Sequence, residues 1–363
     1  MSFDRSIPFV GFHTRIADKK SVPGLIRLLE EGLAPRGINT LILEFNPGYA
    51  YTCFPEYATG TFDAADAAVV RAVCTRLGIR VVPLFQCLSH QSNFSAVPWP
   101  LFQAHPELLE TPDVPADAMW PDFYCHSWCA SNDAIWEYVF PMIDELVDAF
   151  GAEAVHIGID EVFDIGEDSC ARCRGRNKAK LLARTIRVQH DHLAEKGLDT
   201  MMWGDRLLDA EKMGYHMWEA DRFGMHPALT LRDPESGESV IPRDGIITDW
   251  HYDVHDHGYP SVECFMKEGF FTVPSVAANL VQVKGFWTAA LDALYLGRKQ
   301  HWPGKLGGIL FTHWNPLTAA MADEMLKGMK GEAIERSDPF GAGPTGEVIG
   351  AMAEKAGKMR KVY

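Results

Sequence analysis

The sequence lacks an apolar run long enough to cross a membrane, which takes about 20 residues. Residues 1–8, MSFDRSIP, also lack the basic stretch and apolar run of a secretory signal. We therefore expect a soluble, cytoplasmic protein with no membrane partner.

Basic residues are fewer than acidic ones. The chain has 34 Lys and Arg against 49 Asp and Glu, which gives a formal net charge of −15. Proteins that bind nucleic acids use basic surfaces to neutralise phosphates. The charge balance therefore predicts no nucleic-acid partner, and no feature of the sequence indicates an oligomeric state.

Cysteine is sparse, with 8 residues among 363. Cys170 and Cys173 form a Cys-x2-Cys pair, and Cys125 and Cys129 precede them by about forty residues. Free thiols suit a reducing compartment, so we expect unpaired cysteines here. The alternative is a structural zinc site of these four thiolates that ties two loops together.

Short apolar runs alternate with helical segments along the chain. The runs predict eight strands, at Pro8–Thr14, Ile38–Phe45, Ile79–Gln86, Ala154–Val162, Thr200–Asp205, Gly245–Asp253, Gly269–Ala277 and Gly307–Trp314. Spacing and length predict helices at Val22–Leu33, Asp63–Leu77, Asp133–Phe150, Arg176–Lys196 and Asn279–Gln300. This alternation is typical of parallel sheets built from βα units.

Eight βα units predict an α/β fold, the (β/α)8 TIM barrel, for which about 250 residues is usual. We expect one barrel domain at residues 1–330 and a C-terminal loop and helical tail, residues 331–363, packed on it. The surplus length falls in two long loops, Cys87–Asn132 after the third strand and Leu208–Asp244 after the fifth. Both leave the strand ends where barrel active sites lie.

Polar and aromatic residues recur at these predicted strand ends. They are His13, Arg15, Glu44, Gln86, His90, Asp160, Glu161, Trp203, Asp205, Asp249, Trp250, Tyr252, Trp314 and Asn315. Aromatic faces beside acid and amide groups suit a sugar, because its C–H faces stack on indole and its hydroxyls accept directional hydrogen bonds. The pattern predicts a carbohydrate-binding rim.

The segment at residues 156–161 reads His-Ile-Gly-Ile-Asp-Glu. It resembles the strand-four signature His-x-Gly-Gly-Asp-Glu of glycoside hydrolase family 20, the β-N-acetylhexosaminidases, with Ile159 in place of the second glycine. The similarity is strong over residues 130–165 and looser from the first strand to about residue 320. It includes Trp203-Gly204-Asp205, Trp250-His251-Tyr252 and Trp314.

This resemblance implies an exo-acting β-N-acetylhexosaminidase that removes terminal β-linked N-acetylglucosamine or N-acetylgalactosamine with retention. In that family the substrate's own acetamido oxygen is the nucleophile, and no catalytic cofactor is needed. By position, Glu161 would be the general acid and base and Asp160 would orient the acetamido group.

The resemblance also implies roles for residues around the pair. Trp203, Trp250 and Trp314 would wall the pocket, Tyr252 would donate to the acetamido oxygen, and His156 would support the pair from its own strand. Glu44, Asp205 and Asn315 complete the predicted substrate-binding set.

Besides Ile159, two positions depart from the family pattern. Val10 precedes Gly11, where the family has a sugar-gripping arginine, so Arg15 and His13 are the candidate substitutes. Trp314 is followed by Asn315 and Pro316, where the family often has Trp-x-Glu. Preference between glucosamine and galactosamine is therefore open.

Two other functions remain open. One is a retaining, β-galactosidase-like enzyme for sugars without an acetamido group, which would pair Glu161 with Glu44 or Asp249. The other is a barrel that binds glycans through its tryptophans without catalysis. A catalytic metal is not expected, because metal-dependent barrels usually carry His-x-His on the first strand and this chain has His13-Thr14-Arg15.

Overall fold

The computed structural model describes residues 3–16, 18–45, 48–92, 94–338 and 340–359, within which eight parallel strands close into a barrel. They are β1 Phe9–Arg15, β2 Thr40–Glu44, β3 Arg80–Cys87, β4 Ala154–Gly158, β5 Asp199–Trp203, β6 Ile246–Trp250, β7 Phe271–Val276 and β8 Gly308–Pro316. Each strand pairs with the next, and the pairing of β8 with β1 closes the ring. The predicted (β/α)8 barrel is confirmed.

Helices surround the strands. They are α1 Val22–Arg27, α2 Ala64–Leu77, α3 Pro100–Ala104, α4 Trp136–Phe150, α5 Lys178–Glu195, α6 Ala210–Met213, α7 Ser261–Glu268, α8 Leu280–Gln300, α9 Ala319–Lys330 and α10 Ala342–Gly357. The five predicted helices correspond to α1 with its continuation through residue 33, α2, α4, α5 and α8.

Local sequence signals explain where these helices begin and end. Asp63 caps the start of α2 by accepting from the amides of Ala65 and Asp66. Gly78, with φ of 70°, ends the same helix in the left-handed conformation that glycine adopts without steric cost.

Four helices were not predicted: the short α3 and α6, which have 5 and 4 residues and lie within the two long loops, and α7 and α9. The α7 helix has 8 residues, too few for its period to stand out, and α9 begins three residues after β8 ends. In the predicted tail, α10 has 16 residues and packs against α9 and β8. Residues 339 and 360–363 of that tail lie outside the described residues.

The core has two layers. Alternate strand residues fill the barrel interior, among them Phe9, Ile42, Leu84, Met201, Ile246 and Leu310. The opposite strand faces pack against the surrounding helices in a larger apolar cluster. This alternation fixes the strands, so the residues that follow them are held at defined positions.

Two long loops cover the C-terminal end of the barrel, as predicted. One joins β3 to α4. The other joins β5 to β6 and contains the short α6 and two 3-10 turns, Asp205–Leu207 and His226–Thr230. Within the described part of the chain, each helix is too short or too polar to span a bilayer.

Candidate active site

A sharp turn after β4 presents two neighbouring carboxylates to the same side. An extended strand would send Asp160 and Glu161 to opposite faces. The strand ends at Gly158, however, and φ is positive at Gly158, Ile159 and Glu161. Both side chains therefore line one cavity, as the sequence predicted for the end of this strand.

The cavity has a volume of about 710 Å³ and lies at the C-terminal end of the barrel. Its described lining residues come from strand ends, both long loops and the segment before α10. They include Arg15, Glu44, Gln86, His90, Trp99, Tyr124, Asp160, Glu161, Trp218, Glu219, Trp250, Tyr252, Trp314, Asn315, Asp338 and Phe340.

Asp160 is only 4% exposed. Its side chain is held by Gln86, near the end of β3, and by His90, which follows β3. Gln86 Nε2 donates to Asp160 Oδ1 at 2.8 Å, and His90 Nε2 lies 3.5 Å from Oδ2. Burial alone would raise the pKa of Asp160, but the His90 imidazolium and the Gln86 hydrogen bond outweigh it and hold this pKa below its ordinary value. Asp160 is therefore a carboxylate at neutral pH.

His90 contacts both members of the pair, since its Nε2 also lies 3.4 Å from Glu161 Oε2. Burial by itself would lower the pKa of His90, but its interactions with Cys125 and Asp160 raise that pKa well above the ordinary value. The His90 side chain is therefore a cation that lies between the carboxyl groups of Asp160 and Glu161.

Glu161 is held at both its side chain and its backbone. The Tyr124 hydroxyl donates a hydrogen bond to Glu161 Oε2. The Glu161 amide donates to Asp205 Oδ2 at 2.9 Å. One carboxylate oxygen and the peptide are thus fixed by two separate loops.

Asp205 is a buried junction beneath the pair. Its Oδ2 also accepts from Arg206 Nε at 2.6 Å, and its Oδ1 accepts from Trp250 Nε1 at 3.2 Å. Burial raises the pKa of Asp205 to about 6, against the opposing effect of Arg206. Through these bonds Asp205 connects Glu161 to the aromatic wall.

The aromatic wall consists of Trp250, Tyr252 and Trp314. Trp250 and Tyr252 stack with their ring centres 5.1 Å apart, and Trp314 Nε1 donates to the Tyr252 hydroxyl at 2.8 Å. Trp203 is buried behind Trp314, with ring centres 5.4 Å apart. Two of the three predicted tryptophans therefore face the cavity, and the third supports the wall.

Charged and amide groups lie at another part of the cavity. Glu44 Oε1 is 3.3 Å from Arg15 Nε, and Glu44 Oε2 is 3.2 Å from His13 Nε2. Burial alone would raise the pKa of Glu44, but Arg15 and His13 outweigh it and lower this pKa. Asn315 Nδ2 donates to Asp338 Oδ2 at 3.2 Å.

Four of the predicted substrate-binding residues, His13, His156, Trp203 and Asp205, are buried beneath the cavity surface and are not among its described lining residues. His156 hydrogen-bonds Thr248 Oγ1 at 2.7 Å and accepts from the amide of Gly158. Burial lowers the pKa of His156 to about 3, so its imidazole is neutral. His13 and Trp203 contact Trp314, Asp205 accepts from Trp250, and His156 contacts Trp203, so these residues support the wall from behind.

The sequence did not indicate several of the described lining residues, among them Tyr124, Trp218, Glu219, Asp338 and Phe340. Each lies in a long loop or in the segment before α10, where no period or strand end marks a residue as facing the site. Among the loop tryptophans, Trp128 is fully buried, whereas Trp99 lines the cavity and donates to the His90 carbonyl at 2.8 Å.

Glu219 belongs to a buried network that supports Tyr252. Its Oε1 accepts from the Tyr252 amide and from His251 Nδ1, both at 3.3 Å. His251 Nε2 lies 3.3 Å from Asp249 Oδ1. Burial alone would lower the pKa of His251, but Asp249 and Glu219 raise it to about 9. The Asp249 carboxylate therefore interacts with His251 and does not line the cavity.

Backbone strain is concentrated at this site. Among the described residues, six other than glycine have clearly positive φ. Five of them lie in the segments after β3 and β4: Leu88, His90 and Phe94 follow β3, and Ile159 and Glu161 follow β4 and flank Asp160. Such conformations cost about 1–3 kcal/mol each and persist only where the surrounding structure enforces them. Ile159, at φ of 71°, occupies the position of the signature's second glycine.

The cysteines do not assemble as the four-thiolate alternative supposed. Cys129, Cys170 and Cys173 lie together with Glu110, whereas Cys125 interacts with His90 at the active site.

Comparisons with known proteins agree with this geometry. A model of the glycosyl hydrolase family 20 catalytic domain matches residues 38–241, which is more than half of the chain. By sequence, no curated protein matches the chain.

Solved structures share the fold at low sequence identity. A β-N-acetylhexosaminidase from Bacteroides fragilis has a TM-score of 0.55 at 14% identity, over 88% of this chain and 63% of its own. A Flavobacterium johnsoniae chitobiase has a TM-score of 0.60 at 15% identity, over 96% and 52%. A Vibrio harveyi exo β-N-acetylglucosaminidase has 0.58 at 14%, over 98% and 58%. This chain thus spans less than two thirds of each of these proteins.

Proposed function

Because the chain belongs to glycosyl hydrolase family 20, we propose that it is an exo-acting β-N-acetylhexosaminidase. It would remove terminal β-linked N-acetylglucosamine or N-acetylgalactosamine by substrate-assisted, retaining hydrolysis. The observation that carries this proposal is the turn after β4, which directs the adjacent Asp160 and Glu161 into one aromatic-walled cavity.

In the first step, the substrate's acetamido oxygen attacks the anomeric carbon and the glycosidic bond breaks. Glu161 gives its proton to the departing glycosidic oxygen, which leaves as an alcohol, and an oxazolinium ion remains. The Tyr124 hydroxyl holds one Glu161 oxygen in place, so the other is free to carry the proton to the leaving group.

Asp160 has the properties needed to assist this attack. Its lowered pKa keeps it ionised, and its burial strengthens its attraction to the positive charge that develops on the acetamido nitrogen. Gln86 and His90 fix the orientation of this carboxylate.

Tyr252 supports the other end of the acetamido group. Burial raises the pKa of Tyr252, so its hydroxyl keeps its proton. Because Trp314 Nε1 donates to the Tyr252 oxygen, the hydroxyl proton can point toward the attacking oxygen. Trp250 and Trp314 then enclose the methyl group and ring face.

In the second step, Glu161 takes a proton from water, and the water oxygen attacks the anomeric carbon as the oxazolinium ring opens. The product is the free sugar with its original configuration, and Glu161 regains its proton.

The charged part of the cavity supports recognition of the sugar hydroxyls. Arg15, 27% exposed at its side chain, is the cation available in place of the family's arginine. Asp338, next to Asn315, supplies a carboxylate near the position of the family's Trp-x-Glu. We expect these two residues to set the preference between gluco and galacto epimers.

Hydrolysis of four aryl glycosides tests the proposal. The N-acetylglucosaminide and N-acetylgalactosaminide should turn over, and the plain glucoside and galactoside should not. Turnover of only the plain sugars would favour the β-galactosidase-like alternative, and turnover of none with retained sugar binding would favour a non-catalytic barrel.

Inhibitors test the nucleophile. A sugar with a fused thiazoline ring imitates the oxazolinium ion and should bind much more tightly than the product. Asp160→Asn should weaken that binding, because the charge opposite the ring nitrogen is lost while the shape is kept. A covalent adduct of a 2-fluoro glycoside on Glu44 or another carboxylate would contradict the substrate-assisted mechanism.

A further inference from the structure

Four ligand-type side chains converge on the far side of the loop that joins β3 to α4. Glu110, Cys129, Cys170 and Cys173 each place one oxygen or sulfur within 4.8 Å of all the others. All four residues are buried, and none is among the described residues that line the active-site cavity.

The spacing of the sulfurs suits a shared metal rather than a covalent bond. Cys129 Sγ lies 3.5 Å from both Cys170 Sγ and Cys173 Sγ. Thiolates bound to tetrahedral zinc at about 2.3 Å are about 3.8 Å apart, whereas a disulfide needs about 2.05 Å. Because Cys129 is equally far from Cys170 and Cys173, the geometry does not favour a disulfide with either one.

The backbone holds Cys170 and Cys173 as a tight pair. The Cys173 amide donates to the Cys170 carbonyl at 3.2 Å, and the Cys170 amide donates to the Glu167 carbonyl at 3.0 Å. The turn places both thiols on one side, as Cys-x2-Cys pairs do in zinc knuckles.

Glu110 supplies an independent indication of a ligand. Its side chain is fully buried, and its Oε1 accepts from the Glu167 amide at 2.8 Å. Its Oε2 has no hydrogen-bond partner among the described residues. A buried carboxylate oxygen without a partner is costly unless a cation satisfies it. Because Oε1 already accepts from Glu167, Oε2 is the oxygen that is available to bind a cation together with the three thiols.

We propose that Glu110, Cys129, Cys170 and Cys173 bind one structural zinc ion. Three thiolates and one carboxylate provide a closed tetrahedral set, typical of zinc that stabilises a fold and lacks an open position for water. The site revises the four-thiolate alternative by replacing Cys125 with Glu110.

The zinc would join the two loops that carry the active-site groups. Glu110 and Cys129 belong to the loop that provides His90 and Tyr124, and the Cys170–Cys173 turn follows Glu161 on the next loop. Zinc bound by both loops would keep the Tyr124 hydroxyl within hydrogen-bonding distance of the Glu161 carboxyl group. The zinc would therefore position the acid pair without touching substrate.

Metal content tests the site. Protein without an affinity tag, purified without chelators from zinc-supplied cells, should contain about one zinc per chain by elemental mass spectrometry. Glu110→Gln should lower zinc affinity at least tenfold in competition with a chromophoric chelator, and Cys170→Ser should bring the content close to zero. Cys125→Ser and Cys53→Ser should keep the full content.

Cobalt provides a readout that does not depend on how the variants fold. Wild-type protein from which zinc has been exchanged for Co²⁺ should show thiolate-to-cobalt charge transfer and the strong visible bands of a tetrahedral site. Zinc removal should lower the thermal midpoint, and Zn²⁺ should restore it. Wild-type protein without zinc, or a disulfide among the three cysteines, would overturn the proposal. Loss of zinc in Cys125→Ser with retention in Glu110→Gln would overturn the ligand set.

Discussion

The backbone amide of Glu161 donates a 2.9 Å hydrogen bond to Asp205 Oδ2, so the second residue after β5 fixes the turn after β4. The same oxygen accepts from Arg206, which is 1% exposed. Arg206 in turn donates to the carbonyls of Met217 and Trp218, at 2.8 and 2.6 Å. The position of the candidate acid therefore depends on an ion pair buried below it.

Asp205→Asn should destabilise the protein by about 3–5 kcal/mol above pH 7, because it leaves the Arg206 guanidinium buried without its counter-charge. Adding Arg206→Met to Asp205→Asn should recover part of that loss. Denaturant unfolding of the wild type, the two single variants and the double variant would measure the coupling between the two residues. Asp323→Asn is the control, since its pair with Arg27 is exposed and should be worth less than about 1 kcal/mol. A double variant less stable than Asp205→Asn would contradict the stranded-charge explanation.

Tyr124→Phe should lower kcat by about tenfold to a hundredfold with little change in thermal stability. A hydrogen bond to a charged group is worth about 1.5–3 kcal/mol, and its loss would let the Glu161 carboxyl rotate away from the leaving oxygen. Steady-state kinetics with N-acetylhexosaminides measure this effect. Tyr57→Phe, which removes a hydroxyl bonded to His105 outside the cavity, should leave kcat unchanged.

Position 159 should reverse the usual order of alanine and glycine. Ile159 is 1% exposed, so both Ile159→Ala and Ile159→Gly should lower the free energy of unfolding by about 2–5 kcal/mol. Because φ is 71° here, Gly should nevertheless be more stable than Ala by about 1 kcal/mol.

A helical position is the control for this comparison. At Val139, buried in α4, the Ala variant should be more stable than the Gly variant by about 1 kcal/mol. The same order at both positions would show that the left-handed backbone at Ile159 carries no cost.

His90→Gln should move the acid limb of the kcat/KM profile to higher pH. In the wild type, the His90 cation helps to hold the pKa of Asp160 below its ordinary value, so the carboxylate persists as the pH falls. Without that cation the pKa of Asp160 rises and activity is lost at a higher pH. His190→Gln, on α5 beside Asp244, should leave the limb in place. An acid limb unmoved in His90→Gln would argue that Asp160 does not control it.

The sequence by itself determined the barrel and the location of the acid pair. Strand and helix periods repeat locally, and a parallel βα alternation admits few topologies. Once the barrel is predicted, Asp160, Glu161, Trp250 and Trp314 must lie at one end, because all parallel strands finish there.

Tertiary structure alone decided what surrounds the pair. Tyr124, Glu219 and Asp338 reach the cavity from irregular segments whose path depends on long-range packing, which no local period records. The same reason explains the cysteines. The four-thiolate alternative grouped Cys125 with Cys129, Cys170 and Cys173, but the fold places Glu110 beside those three thiols and Cys125 beside His90. Trp203 and Trp314 carry equivalent sequence signals, and only packing around the strand ends buries one behind the other.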